Sequence, residues 1–118
     1  MKGDLVKSRA EKAIADALFA ANIPYRYECG ITFDQGRTWI YPDFTIMDPE
    51  TGKIFLWKHF GMAEINYYCR HNANKMYTYF ENGYILGSNL ICTAETEEKK
   101  LTEAQIEEVI HFIITAFL

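Results

Sequence analysis

The sequence predicts an α/β fold, a mixed β-sheet flanked by helices in the order α-β-β-β-α-β-α. Three observations carry this. Apolar residues recur at helical spacing near both ends of the chain, and β-forming runs separated by turn residues fill positions 25–60. A short apolar run, Leu90-Ile91-Cys92-Thr93, follows a helical stretch, as a buried strand reached by a crossover does. At 118 residues there is chain enough for one hydrophobic core and not two, so a single domain over 1–118 is expected.

Ser8-Arg9-Ala10-Glu11 reads as a capping box, and Ala10, Ile14, Leu18 and Ala21 then form the apolar stripe of a first helix. Asn22 suits the left-handed residue that ends a helix, and Pro24 prevents continuation. Tyr25 to Cys29 alternates as a strand. Asp34-Gln35-Gly36 supplies a turn, and Arg37 to Met47 reads as one long strand in which Pro42 forces an end or a bulge. Asp48-Pro49-Glu50-Thr51-Gly52 is a turn, from which Lys53 to Trp57 returns as a third antiparallel strand. The chain turns helical from about Ala63 to Phe80, ending at Asn82-Gly83. After the strand at Leu90, Thr102 and Gln105 form a second capping box with a staple between Leu101 and Ile106. Ile106, Val109, Ile110, Ile113, Ile114 and Phe117 define the buried face of the last helix.

Composition narrows the function classes. Aromatic residues make up 15% and charged residues 24%, which argues against disorder. The apolar stretches fall short of the roughly 18 residues a membrane span needs, so a soluble, cytoplasmic protein is expected. Cys29, Cys69 and Cys92 form no C-x-x-C pair, and His59, His71 and His111 show no zinc spacing, so ordinary core thiols and no zinc site are expected. The net charge of −4 resides in residues 95–108, which hold six acids and two bases. The remaining body is neutral, and local basic clusters on it can still engage nucleic acid.

One constellation carries chemistry. Glu11 on the first helix is followed by Tyr41-Pro42-Asp43 at a strand break, then by Trp57-Lys58-His59-Phe60-Gly61 closing the third strand. Singly, Glu11 reads as a capping residue, Asp43 as a turn residue, His59 as a hydrogen-bonded loop neighbour and Lys75 as a solvated lysine. Their order and spacing together resemble the PD-(D/E)XK, restriction-endonuclease-like nuclease superfamily over residues 8–94. Within it the chain is similar to small bacterial members whose third strand ends in Trp-Glu-His-Phe-Gly. The strings Pro42-Asp43-Phe44-Thr45-Ile46 and Asn89-Leu90-Ile91-Cys92-Thr93 are similar to that group as well.

The resemblance implies a phosphodiester hydrolase acting on nucleic acid, DNA in the first instance, with Mg²⁺ or Mn²⁺. It implies Asp43 as the principal metal ligand, Glu11 as an accessory acid and the backbone carbonyl of His59 as a further ligand. The superfamily's lysine has its usual place at Phe60, which implies Lys75 as a migrated substitute. Lys58 stands where the second acid belongs: it removes a ligand and places a cation beside the metal position. Two unit charges a few ångströms apart repel by roughly 4 kcal/mol at an intermediate dielectric. Either the chain is catalytically disabled, or Lys58 swings away and Glu64 or Glu11 compensates. The ammonium is expected close to Asp43, standing in for the cation and keeping the carboxylates ionised. The alternative is a non-catalytic module on the same fold that holds nucleic acid or a protein through Lys53, Lys58, Arg70, His71 and Lys75.

Overall fold

The computed structural model describes residues 9–33, 38–40, 42–61, 77–96 and 98–117. Helix α1 (Arg9–Ala20) is followed by β1 (Tyr25–Tyr27), β2 (Ile31–Phe33), β3 (Thr38–Ile40), β4 (Phe44–Met47) and β5 (Ile54–Phe60). Residues 77–81 are helical (α2), and β6 (Leu90–Ala94) and α3 (Glu103–Phe117) complete the chain. The main sheet is four-stranded in the order β1-β4-β5-β6, and β2 and β3 form a separate two-stranded sheet. Strands β1, β4 and β5 pair antiparallel while β6 runs parallel to β5, so the main sheet is mixed, as expected.

The helix ends follow their local chemistry. Asn22 takes φ 57°, Ile23 N–H donates to Leu18 at 3.0 Å and Asn22 N–H to Phe19 at 3.0 Å, the paired bonds of a Schellman motif. Gly83, at φ 90°, ends α2 the same way, with Tyr84 N–H on Tyr79 and its own N–H on Phe80. At the start of α3 the capping box is reciprocal: Gln105 N–H donates to Thr102 Oγ1 at 3.2 Å and Thr102 N–H to Gln105 Oε1 at 3.0 Å. Leu101 packs against the cluster that holds Ile106, completing the staple. Ser8, the other expected cap, lies outside the described residues.

Alternation along β4 and β5 sorts side chains onto two faces. On one, Phe44, Ile46, Phe55, Trp57 and Ile91 pack with Ile14 and Leu18 of α1 and Ile106, Ile110 and Ile113 of α3. Burying each of these large side chains contributes about 1.5–3 kcal/mol. On the other, Leu56 and Leu90 pack with Tyr79 of α2, flanked by Ile31, Tyr84 and Cys92. Ile114 departs from expectation: it is 40% exposed, turned off the stripe set by Ile106, Ile110 and Ile113.

The strand expected as one piece from Arg37 to Met47 is two strands in two sheets. Pro42 has no N–H to give a ladder, and on either side of it the chain pairs differently: β3, to Ile40, with β2, and β4, from Phe44, with β1. The described order therefore has five strands ahead of α2 where three were expected. Asp43 sits at the break. The turn into β5 is fixed by Asp48, whose carboxylate accepts from Glu50 N–H at 3.0 Å and Thr51 Oγ1–H at 2.7 Å. These bonds, that of Glu50 first, hold the Asp48 carboxyl below its usual range.

Candidate functional site

Asp43 follows Pro42 and precedes β4, in register with the far end of β5. Phe44 pairs with Trp57, so one step outward brings Asp43 opposite Lys58 on the face shared with Leu56. The carboxylate is fastened there by the backbone: His59 N–H donates to Asp43 Oδ2 at 2.5 Å. The Lys58 ammonium lies 3.7 Å from Oδ1, with the two side chains 13% and 8% exposed, and 5.7 Å from the centre of the Phe60 ring. The expected approach of Lys58 to Asp43 is thus present.

Two further acids converge on the same place. Glu11 is buried on α1 and accepts from the Tyr27 hydroxyl at 3.3 Å. Glu28 follows β1, donates its N–H to the Asp43 carbonyl at 2.9 Å and has φ 50°. Carboxylate oxygens of Glu11, Glu28 and Asp43 lie within 4.8 Å of one another. Glu28 was not expected: its place in an alternating run reads as a strand residue, and no sequence signal announces a glutamate at positive φ, where non-glycine residues are uncommon. The strand ends at Tyr27 instead of Cys29, and the left-handed turn at Glu28 brings this third acid into the group.

Burial pushes the Asp43 carboxyl up from 3.8 to about 7; the neighbouring Glu11, by charge and by hydrogen bonding, adds to this, against the Lys58 ammonium and the His59 amide. At Asp43 this runs against the expectation that the ion pair keeps the carboxylates ionised. Asp43 sits among other negative groups in a poorly hydrated place, and one ammonium does not compensate. The same surroundings raise its neighbours: burial lifts the Tyr79 hydroxyl above its usual range and the Cys92 thiol to about 11.

His59 contributes by its backbone. Its ring points to the opposite face from Lys58, where Nδ1 is 2.7 Å from Thr93 Oγ1 and Nε2 is 3.2 Å from Glu95 Oε1. The ring is therefore no ligand of the acidic group. Within a strand the N–H and C=O of one residue point the same way, so the His59 carbonyl is directed to the side on which its amide meets Asp43. Lys53, proposed with the basic residues, is exposed ahead of β5, about 17 Å along the strand from Lys58 at 3.3 Å per residue. Glu64, Arg70, His71, Lys75 and Cys69 lie outside the described residues; Cys29 and Cys92 are half-buried and in no disulfide.

Oxygen ligands from three carboxyls suit a hard divalent cation, and among the described residues this is the one such group. Against that, the Lys58 ammonium competes for the same oxygens. The three carboxyls could hold a metal ion, with the Lys58 ammonium 3.7 Å from Asp43 Oδ1. Among the described residues no helix is long and apolar enough to cross a membrane. Comparison with known proteins returns no match: no family model, no curated protein and no solved structure is similar to this chain.

Proposed function

We propose that the chain is a PD-(D/E)XK-type nuclease domain, a metal-dependent phosphodiester hydrolase acting on nucleic acid, disabled at the position of its second acid by Lys58. The observation that carries this is the meeting of Asp43, Glu11 and Glu28 within 4.8 Å at a Pro-Asp strand break, with the Lys58 ammonium 3.7 Å from Asp43. The order of elements supports it. Leaving aside the β2–β3 hairpin, the main sheet and helices run α-β-β-β-α-β-α, with Asp43 just ahead of β4 and Lys58 near the end of β5.

In this reading Asp43, Glu11 and Glu28 would hold Mg²⁺ or Mn²⁺ once Lys58 is displaced, and the ion would supply Lewis acidity and an activated water. The residues of the chain do the rest. The His59 amide holds Asp43 Oδ2, and Oδ1 is the oxygen that meets the Lys58 ammonium. Lys58 neutralises part of their charge and blocks their use as ligands. Tyr27 holds Glu11 by a hydrogen bond and keeps it pointed inward.

The test is a digestion series on plasmid and single-stranded DNA with Mg²⁺, Mn²⁺ or chelator, run on the native chain, Lys58→Glu, and Lys58→Glu with Asp43→Ala. Cleavage by Lys58→Glu alone is expected. If that variant gains neither metal affinity nor cleavage, the nuclease reading fails. The alternative, a non-catalytic module binding nucleic acid or protein on the same fold, is favoured by the pairing of Lys58 with Asp43, which keeps the acids occupied without a metal. It predicts native-chain binding with no cleavage in either variant, weakening with salt where phosphates are the ligand.

A further inference from the structure

His59 joins the two faces of the sheet. Its amide donates to Asp43 Oδ2 on the acidic side, while its ring lies between Thr93 and Glu95 on the helical side. The donor roles in this network are nearly fixed by chemistry. A carboxylate cannot donate, so Nε2 carries the proton that Glu95 Oε1 accepts. Trp57 Nε1–H donates to Thr93 Oγ1 at 3.0 Å, which leaves the Thr93 hydroxyl proton to point at Nδ1 when the ring is neutral. The second oxygen of Glu95 accepts from Leu101 N–H at 2.9 Å, and Glu95 N–H donates to the Phe60 carbonyl at 3.0 Å. Both ring nitrogens are thus clamped by β6 and the segment after it, and the backbone at position 59 is held with them.

We propose that Thr93 and Glu95 are positioning residues for the acidic site: clamping the His59 ring sets the His59 amide, and the amide decides which oxygen of Asp43 faces Glu11, Glu28 and Lys58. A carboxylate turns readily about its last bond. With Oδ2 taken by the amide, Oδ1 is the oxygen directed at the ammonium, and in the proposed function, on which this inference rests, at a cation. Partners one step removed from a ligand typically change metal affinity by ten- to a hundredfold when lost. If the network merely fastened β6 to β5, its loss would lower stability and leave Asp43 as it is.

The test uses the full chain and two readouts. Thr93→Val removes the hydroxyl at nearly constant shape, Thr93→Ser keeps it, and Glu95→Gln weakens the hold on Leu101 and the ring. In the native background, the ¹H–¹⁵N position of the His59 amide reports its bond to Asp43: Thr93→Val and Glu95→Gln are expected to move the amide proton upfield, and Thr93→Ser to restore it. In the Lys58→Glu background, Thr93→Val is expected to weaken Mn²⁺ binding about tenfold, again with rescue by serine. An unmoved His59 amide in folded Thr93→Val and Glu95→Gln overturns the proposal. If Lys58→Glu binds no Mn²⁺ at all, the nuclease reading fails by itself, and the amide shift with serine rescue still decides whether Thr93 and Glu95 position Asp43.

Discussion

Lys58 and Asp43 meet across the continuation of the β4–β5 register, ammonium to carboxylate at 3.7 Å, in a place that keeps both side chains largely from water. Such a pair adds little net stability against two apolar residues, because desolvating both charges offsets their attraction. Its effect here is on occupancy. The ammonium neutralises one of three clustered acids and takes the position a divalent ion would need. Removing it leaves Asp43 to shed its charge by binding a proton.

Lys58→Met tests that escape route. Asp43 then loses the ammonium that favours its ionised form, and its carboxyl rises above about 7. Below neutrality the acid is already protonated in the folded protein, so the substitution is expected to cost little at pH 5. At pH 8.5 it is expected to cost about 3 kcal/mol more, the low end of the range for breaking a buried pair. Urea unfolding at the two pH values reads the difference, and an equal cost at both would contradict the coupling.

The native chain carries its own pH signature. Asp43 moves from 3.8 to about 7 on folding, so the folded state binds a proton that the unfolded state releases. The sign follows: this contribution to stability is full below pH 3.8 and is lost as pH rises through about 7, on the order of 4 kcal/mol at the limit. Asp43→Asn, still able to accept from the His59 amide, is expected to flatten that slope and to exceed the native chain in stability at pH 8. A slope unchanged by the substitution would show that another group causes it.

Glu28 offers a separate handle, because its strained backbone and its charge both count against folding, while only the charge would serve a cation. A non-glycine residue at φ 50° is strained by roughly 1 kcal/mol, which glycine does not incur. Glu28→Gly also removes one of three repelling acids. The native chain is expected to gain about 0.5–1 kcal/mol, read as a higher midpoint in thermal unfolding. In Lys58→Glu the same change is expected to weaken Mn²⁺ binding. Gain in stability without loss of metal affinity would remove Glu28 from the site.

What the sequence makes legible is what short-range chemistry dictates. Asn22, Gly83 and the Thr102–Gln105 box each act on backbone groups a few residues away, and each stands where the pattern puts it. The meeting of Lys58 with Asp43 follows only from the resemblance, which sets Lys58 at the position of the second acid, and not from any local pattern. The third acid is not legible, because it depends on a positive φ at Glu28 that opposes the residue's own preference. Nor is the splitting at Pro42 into two sheets: the proline marks an interruption, while the choice of partner for β3 belongs to tertiary packing. The Thr93–His59–Glu95 network joins residues 34 and 36 positions apart, beyond the reach of any local pattern.

The local signals can be tested as directly as the site. Thr102→Ala removes the hydroxyl that accepts from Gln105 N–H at the start of α3. The expected loss is about 1 kcal/mol, and Thr102→Ser should recover most of it. Because α3 buries Ile106, Ile110 and Ile113 in the main core, the loss is expected in global unfolding. Finding it only as local fraying, by amide exchange confined to residues 102–106, would place the start of α3 outside the cooperative unit.

Lys58→Glu brings these effects together. It replaces an ammonium by a carboxylate beside Asp43, Glu11 and Glu28, so four acids gather where three acids and an ammonium stood. Without metal the variant is expected to unfold at a lower urea concentration than the native chain, by about 2–3 kcal/mol at pH 8 and less at pH 5, where protonation relieves the repulsion. Millimolar Mg²⁺ or Mn²⁺ is expected to restore the loss, since a ligand that binds only the folded state stabilises it by mass action, about 2.7 kcal/mol at a hundred times Kd. The native chain under the same titration should barely respond. A metal-dependent gain in the variant that disappears with Asp43→Ala assigns the ion to this group of acids. A gain that survives Asp43→Ala, or none at all, means that the oxygens gathered at the Pro42–Asp43 break do not form a cation site, whatever stands at position 58.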